Sequence, residues 1–153
     1  MNLDGITVGQ TFSHYRLLSK LGEGGMGIVF VAEDTRLRRQ VAIKFLNAGR
    51  DGRMSRARFL REARAASVLN HPNIATVYEY GETDEGLPFI VMELLRGQTL
   101  SDLLDAGALP VERSVAIIRG VLEALAEAHR HGIVHRDVKP SNIVLGERGL
   151  IKV

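Results

Sequence analysis

The residue types that could do chemistry in this sequence concentrate near its C-terminal end. His135-Arg136-Asp137-Val138-Lys139-Pro140-Ser141-Asn142 sets an acid, three basic side chains and a carboxamide between the short apolar runs Ile133-Val134 and Ile143-Val144-Leu145. Both runs read as strands, and the polar stretch reads as the loop joining them. A metal reading of His129, His131 and His135 is poor: the chain has no cysteine, and the spacing matches no zinc pattern. A serine nucleophile is unsupported too, because no G-x-S-x-G elbow occurs. Asp137 and Asn142 could also be turn residues that bond only to backbone. Against that stands an upstream sequence that makes sense as a means of bringing a phosphate donor to the loop.

The second concentration is Gly22-Glu23-Gly24-Gly25-Met26-Gly27-Ile28-Val29, which fits G-x-G-x-x-G-x-V at every position. It lies between Tyr15–Leu21 and Ile28–Ala32, both strand-like, so the glycines form a hairpin. In a dinucleotide-binding fold the pattern must open a helix, and a Walker A loop needs Lys-Ser/Thr after its last glycine. Neither condition holds. The readings left are a flexible hairpin without a ligand, or a flap whose bare backbone approaches phosphates closely.

Lys44 is the third. It sits in the strand-like run Gln40–Leu46, where alternation places it with Ala42 on the face opposite Val41, Ile43 and Phe45. Such a lysine either snorkels from a sheet edge or has an acidic partner. Glu62 offers one: on the helical pattern from about Ser55 to Asn70, its neighbours include Phe59, Ala65, Ala66 and Leu69, so it lies on the apolar side. A carboxylate there needs a partner or a raised pKa; otherwise it is partly exposed among the arginines of the same helix. Those arginines (Arg50, Arg53, Arg56, Arg58, Arg61 and Arg64) lack interleaved aromatics, so they read as a solvated face with no nucleic-acid partner.

To position these residues the sequence predicts two parts. Residues 1–14 are a lead-in with little pattern. Residues 15–93 hold five strands and one inserted helix, the last two strands being Ile74–Glu82 and Pro88–Glu93. His71-Pro72-Asn73 ends the helix, since proline disfavours helical geometry in the residue before it. Residues 94–153 begin with a link, Leu94–Gly97, and are mainly helical: a short helix over Thr99–Ala106 and a long one from near Pro110 to His131. The long helix is apolar on more than one face, through Val115, Ile118, Leu122 and Leu125 but also Ile117, Val121, Ala124 and Ala128.

The bulk numbers agree with a folded chain. Of 153 residues, 45% are hydrophobic and 25% charged, and the net charge of +2 does not argue for nucleic acid. Without cysteine there is no disulfide, thiolate metal site or cysteine nucleophile. Met1-Asn2-Leu3-Asp4 lacks the basic start of a signal peptide, and no apolar run approaches the roughly 18 residues that span a bilayer. The expectation is a cytoplasmic chain with no membrane segment.

Taken together, H-R-D-x-K-P-x-N, the glycine flap, Val41-Ala42-Ile43-Lys44 and the core-facing Glu62 resemble the eukaryotic-like serine/threonine protein kinases of bacteria, over about Tyr15 to Val153. The resemblance implies an α+β, protein-kinase-like fold: a five-stranded antiparallel N-lobe with one helix, then an incomplete, mainly helical C-lobe. It implies ATP and Mg²⁺ as cofactors and the Ser/Thr hydroxyls of proteins as acceptors. On this basis Leu21, Gly22, Glu23, Gly24, Gly25, Met26, Gly27, Ile28 and Val29 would cover ATP, with backbone amides near its phosphates. Lys44 would hold the α- and β-phosphates and pair with Glu62. Met92 falls at the gatekeeper position, Glu93 to Leu95 would offer backbone hydrogen bonds to adenine, and Val29, Ala42 and either Val144 or Leu145 would sandwich the purine. Asp137 would accept the hydroxyl proton, Asn142 would hold Mg²⁺, and Lys139 would neutralise charge on the transferred phosphate.

One part of the family pattern is missing. An Asp-Phe-Gly motif, whose aspartate is the main Mg²⁺ ligand, follows the last strand in this family. Leu150-Ile151-Lys152-Val153 matches the run just before it, and the sequence ends there. Two expectations follow: the N-terminal part of a kinase catalytic domain with little activity by itself, or an inactive nucleotide-binding or interaction fragment.

Overall fold

The computed structural model describes residues 5–24, 27–46, 61, 63–146 and 149–153. These fall into two compact units, Met1–Ser67 with Val77–Leu94, and Val68–Thr76 with Leu95–Val153.

The first unit is an antiparallel sheet of six strands in the order β1-β2-β3-β4-β6-β5. The strands are β1 (Thr11–Phe12), β2 (Tyr15–Gly24), β3 (Gly27–Asp34), β4 (Arg39–Leu46), β5 (Val77–Glu82) and β6 (Pro88–Glu93). Period-two alternation builds its core. Tyr15, Leu17, Ile28, Phe30, Ala32, Val41, Ile43, Phe45, Phe89 and Val91 all project to one face and form one buried cluster. β-branched and aromatic side chains fill that face, which is why these runs settle as strands. The five predicted strands are all present, and β1 is the addition. Residues of the lead-in are therefore not patternless: Ile6 and Phe12 pack on the core. Phe12 stands edge-on to Phe89 at 4.7 Å and to Phe45 at 5.7 Å. A strand of two residues is too short to show a period.

Asp34 ends β3 and is 2% exposed. Its Oδ1 accepts from the backbone N–H groups of Arg36 and Leu37, each at 3.0 Å, and so shapes the turn into β4. Asp34→Ala removes the acceptor of both bonds and is expected to destabilise the unit by about 1–2 kcal/mol, seen as a lower urea midpoint.

Of the long predicted helix around Glu62, residues 63–66 are helical and described, and Ala63 and Leu69 are buried. Glu62 and the helix start lie outside the described residues.

The second unit has a three-stranded antiparallel sheet, β7 (Gly97–Thr99), β8 (Val144–Gly146) and β9 (Ile151–Lys152), and two α-helices, α1 (Leu100–Asp105) and α2 (Val111–Arg130). Thr99 starts α1 through a capping box: its hydroxyl accepts from the Asp102 N–H, and the Asp102 carboxylate accepts from the Thr99 N–H at 3.0 Å. The predicted link residue Gly97 already belongs to a strand. Leu100, Ile117, Val121, Ile143 and Ile151 form the second core. One apolar face of α2 is thereby buried, while Val115, Ile118 and Leu122 are exposed.

Ile133-Val134 is not a strand. The N–H of Gly132 bonds to the His129 carbonyl and that of Ile133 to the Ala128 carbonyl, each at 2.9 Å, with Gly132 at φ 71°. This is the glycine-terminated helix end in which the two residues after the cap satisfy the last free carbonyls. Ile133 therefore closes α2 rather than pairing with another strand.

Residues 71–76 are tied to the end of the chain. The Val153 N–H donates to the Asn73 carbonyl at 2.9 Å, Asn73 Nδ2 to the Ile151 carbonyl at 2.8 Å, and Lys152 Nζ to the Ile74 carbonyl at 3.0 Å. Among the described residues no helix is long and apolar enough to cross a membrane.

Candidate active site

Register places the first group of predicted site residues. Across β3 and β4, Val29 stands opposite Lys44 and Val31 opposite Ala42; across β4 and β6, Ala42 stands opposite Met92 and Lys44 opposite Ile90. Directly opposed residues share a face. Val29, Ala42, Lys44 and Met92 therefore lie together on the side away from the aromatic core. β4 is flanked by β3 and β6, so Lys44 does not snorkel from an edge. It is half-buried on an interior strand, with the apolar Val29, Ala42 and Ile90 as its sheet neighbours. That is a site where a cation can meet an anion with little water between them.

The flap is the β2–β3 hairpin. Gly22 pairs with Val29, Glu23 with Ile28 and Gly24 with Gly27, after register shifts that follow Leu17 and Lys20. Gly27 has φ 137°, and a Cβ on it would lie 2.0 Å from the Phe45 carbonyl oxygen, so only glycine fits. Leu21, Gly22, Glu23 and Gly24 are exposed. The Ile28 side chain is buried in the core, so only its backbone is available to a ligand. Gly25 and Met26 lie outside the described residues. Glu93 ends β6 half-buried, and the half-buried Leu95 opens the second unit's main run.

The loop residues converge within the second unit. Asp137 Oδ2 lies 2.9 Å from Lys139 Nζ and accepts from Asn142 Nδ2 at 3.0 Å; the same amide nitrogen donates to the Asp137 carbonyl at 2.9 Å. A 3-10 turn over Pro140–Asn142, with Pro140 at its start, folds Asn142 back to make these bonds. Arg136 has φ 65°, a left-handed conformation uncommon for a residue with a side chain, and His135 Nδ1 accepts from the Asp137 N–H at 3.3 Å. Strain of this kind persists only where surrounding bonds impose it. Asp137 and Asn142 do bond to backbone, as a plain turn would. They also bond to each other through side chains, which a plain turn does not require.

The Lys139 hydrogen bond, and after it that of Asn142, holds the Asp137 carboxyl below its ordinary range. The sign is that of a carboxylate favoured in its charged form: Asp137 keeps its proton-accepting state as pH falls through the usual aspartate range. Lys139→Met removes the largest cause. The Asp137 titration, followed by carboxyl ¹³C NMR, is then expected to move upward toward the ordinary value.

Asn142 commits its amide nitrogen to Asp137, which leaves its side-chain oxygen as the hard donor that Mg²⁺ prefers. No cluster of three or more His, Asp or Glu suited to a metal occurs among the described residues. The donor set fits an ion carried largely by phosphate oxygens, and does not fit a metal cage made of protein alone.

Of the two purine-sandwich alternatives, Leu145 pairs with Ile151 and packs against the second core, whereas Val144 pairs with Thr99 and Lys152 on the other face. Val144 is the residue left available, because alternation in a three-residue strand sends neighbours to opposite sides. The Thr99–Asp102 cap carries a sequence signal, the S/T-x-x-D pattern before an apolar run. The ties among Asn73, Lys152 and Val153 have no local signal, since the partners are far apart in sequence.

The family model for the protein kinase domain matches residues 15–153. This chain belongs to the protein kinase domain family. A probable serine/threonine-protein kinase of Streptomyces coelicolor is 49% identical over 145 residues, covering 91% of this chain and 21% of the relative. The serine/threonine-protein kinase PrkC of Bacillus subtilis is 44% identical over 142 residues, covering 91% of this chain and 22% of its own length. Among solved structures, the Mycobacterium tuberculosis PknI kinase domain superposes with a TM-score of 0.85 at 33% identity, covering 97% of this chain and 62% of that one. The kinase-domain sequence here thus spans about a fifth of the curated relatives it matches. The antiparallel sheet of its first unit is that of a kinase N-lobe.

Proposed function

We propose that this chain is the ATP-holding and proton-accepting part of a serine/threonine kinase catalytic domain. The observation that carries the reading is the Asp137 carboxylate, fixed by Lys139 and Asn142 beside the left-handed Arg136. The flap amides and Lys44 would bind the phosphates of ATP, with Val29, Ala42 and Val144 against the purine. Glu93 and Leu95 would offer backbone groups to the adenine edge. A Ser or Thr hydroxyl of a protein would then attack the γ-phosphorus as the bond to the β,γ-bridging oxygen breaks. Asp137 takes the hydroxyl proton, ADP leaves, and Lys139 faces charge on the phosphoryl group in transit. The Asn142 amide oxygen would hold Mg²⁺, which would supply charge neutralisation for the phosphates when bound. Phosphoryl transfer needs little covalent help from the protein, so position and charge account for most of the rate.

A second reading is a nucleotide-binding or interaction module without phosphotransfer. The two separate in one assay. The 153-residue polypeptide and a domain completed after Val153 with the remaining catalytic segment of the Streptomyces relative are each incubated with γ-³²P-ATP, Mg²⁺ and a basic protein. The proposal expects phosphoserine and phosphothreonine from the completed domain and background from the shorter chain. No label in either, with ATP bound, would leave the binding-module reading standing.

A further inference from the structure

A concavity of about 670 Å³ opens on the first unit, lined by the lead-in, β1 and the β5–β6 turn. It lies on the aromatic side of the sheet, with Phe12 and Phe89 in its wall, whereas Lys44 is on the other face. Its volume is in the range of ligand-binding sites. Its charge is one-sided: among the described residues Glu79, Glu82, Asp84 and Glu85 line it and no Lys or Arg does, in a chain with 20 basic and 18 acidic residues. β5, which carries Glu79 and Glu82, is the outer strand of the sheet. An outer strand offers backbone groups to an incoming extended chain.

We propose that this concavity docks an extended basic segment of a partner protein. One bulky apolar side chain of the segment rests on the Phe12–Phe89 wall, and its lysines and arginines face Glu82, Asp84 and Glu85. Glu79 is fixed for this role by the Tyr15 hydroxyl, which donates to it at 2.6 Å. Charge complementarity selects a basic partner over an acidic or neutral one, and the edge strand favours a peptide over a small cation. The site is separate from the phosphoryl-transfer reading, because every residue in it belongs to the first unit and its wall residues Phe12 and Phe89, with Glu79, lie on the face away from Lys44.

The test uses the 153-residue chain and a fluorescein-labelled peptide, Lys-Arg-Phe-Lys-Leu-Arg-Lys, read by anisotropy. Saturable binding is expected, weakening steeply with salt. Asp84→Lys with Glu85→Lys, an exposed turn pair whose replacement leaves the fold measurable by circular dichroism, is expected to weaken it about tenfold or more. Replacing the peptide's phenylalanine by alanine is expected to weaken it by a similar factor, and saturating ATP to leave it unchanged. The proposal is overturned by no binding to the unchanged chain, by full binding to the charge-reversed variant, by indifference to the peptide's phenylalanine, or by displacement with ATP.

Discussion

Lys44→Met is expected to lower kcat/KM for ATP about a hundredfold or more in the completed domain, while leaving the fold intact. Lys44 is half-buried on β4, an interior strand, and its neighbours across the register are Val29 and Ile90. Methionine has nearly the same length and packs as well in that place, so the first unit's core, which lies on the other face, is undisturbed. What is lost is the half-buried positive charge that the proposed function assigns to the phosphate oxygens of ATP. Removal of one such stabilising group typically costs a factor of about 10²–10³. Unchanged thermal unfolding alongside the loss, compared by calorimetry, separates this role from a structural one. A Lys44→Met domain with ordinary activity would remove Lys44 from the site.

Asp137→Asn is expected to have the larger effect on turnover, lowering kcat by about a thousandfold with little change in KM for ATP. Asparagine keeps the size of the side chain and an oxygen that Asn142 and Lys139 can reach, so the loop geometry survives. It cannot take a proton. Positioned general bases contribute about 10²–10⁴ in rate, and neither side chain bonded to the carboxylate can replace it: Lys139 is a cation and Asn142 an amide. The split between kcat and KM distinguishes this variant from Lys44→Met, whose effect includes binding.

Much of this site was legible in the sequence because it rests on short-range rules. Alternation around Lys44 is a period of two in a strand buried on one face, so the grouping with Ala42 and opposite Val41, Ile43 and Phe45 followed directly and agrees with the register. The flap was readable because strands flank it. The 3-10 turn of the loop was marked by Pro140, but the bonds that Asn142 makes back to Asp137 come only from the folded turn. Where the structure departs, either a long-range partner or a very short element decides. β1 is two residues long, and its Phe12 is recognised only by what it packs against. Ile133-Val134 has strand composition, but Gly132 closes the helix through Ile133. The choice between Val144 and Leu145 turns on a single step of register, which local sequence does not set.

The central claim is that Asp137 is the proton acceptor of a phosphoryl transfer. Single-turnover rapid quench of the completed domain with γ-³²P-ATP and a serine peptide, with Asp137 intact and with Asp137→Asn, tests it most directly. The account predicts a phosphopeptide phase that slows about a thousandfold in the variant while bound ATP stays constant. Equal rates for the two proteins, with equal ATP bound, would contradict it.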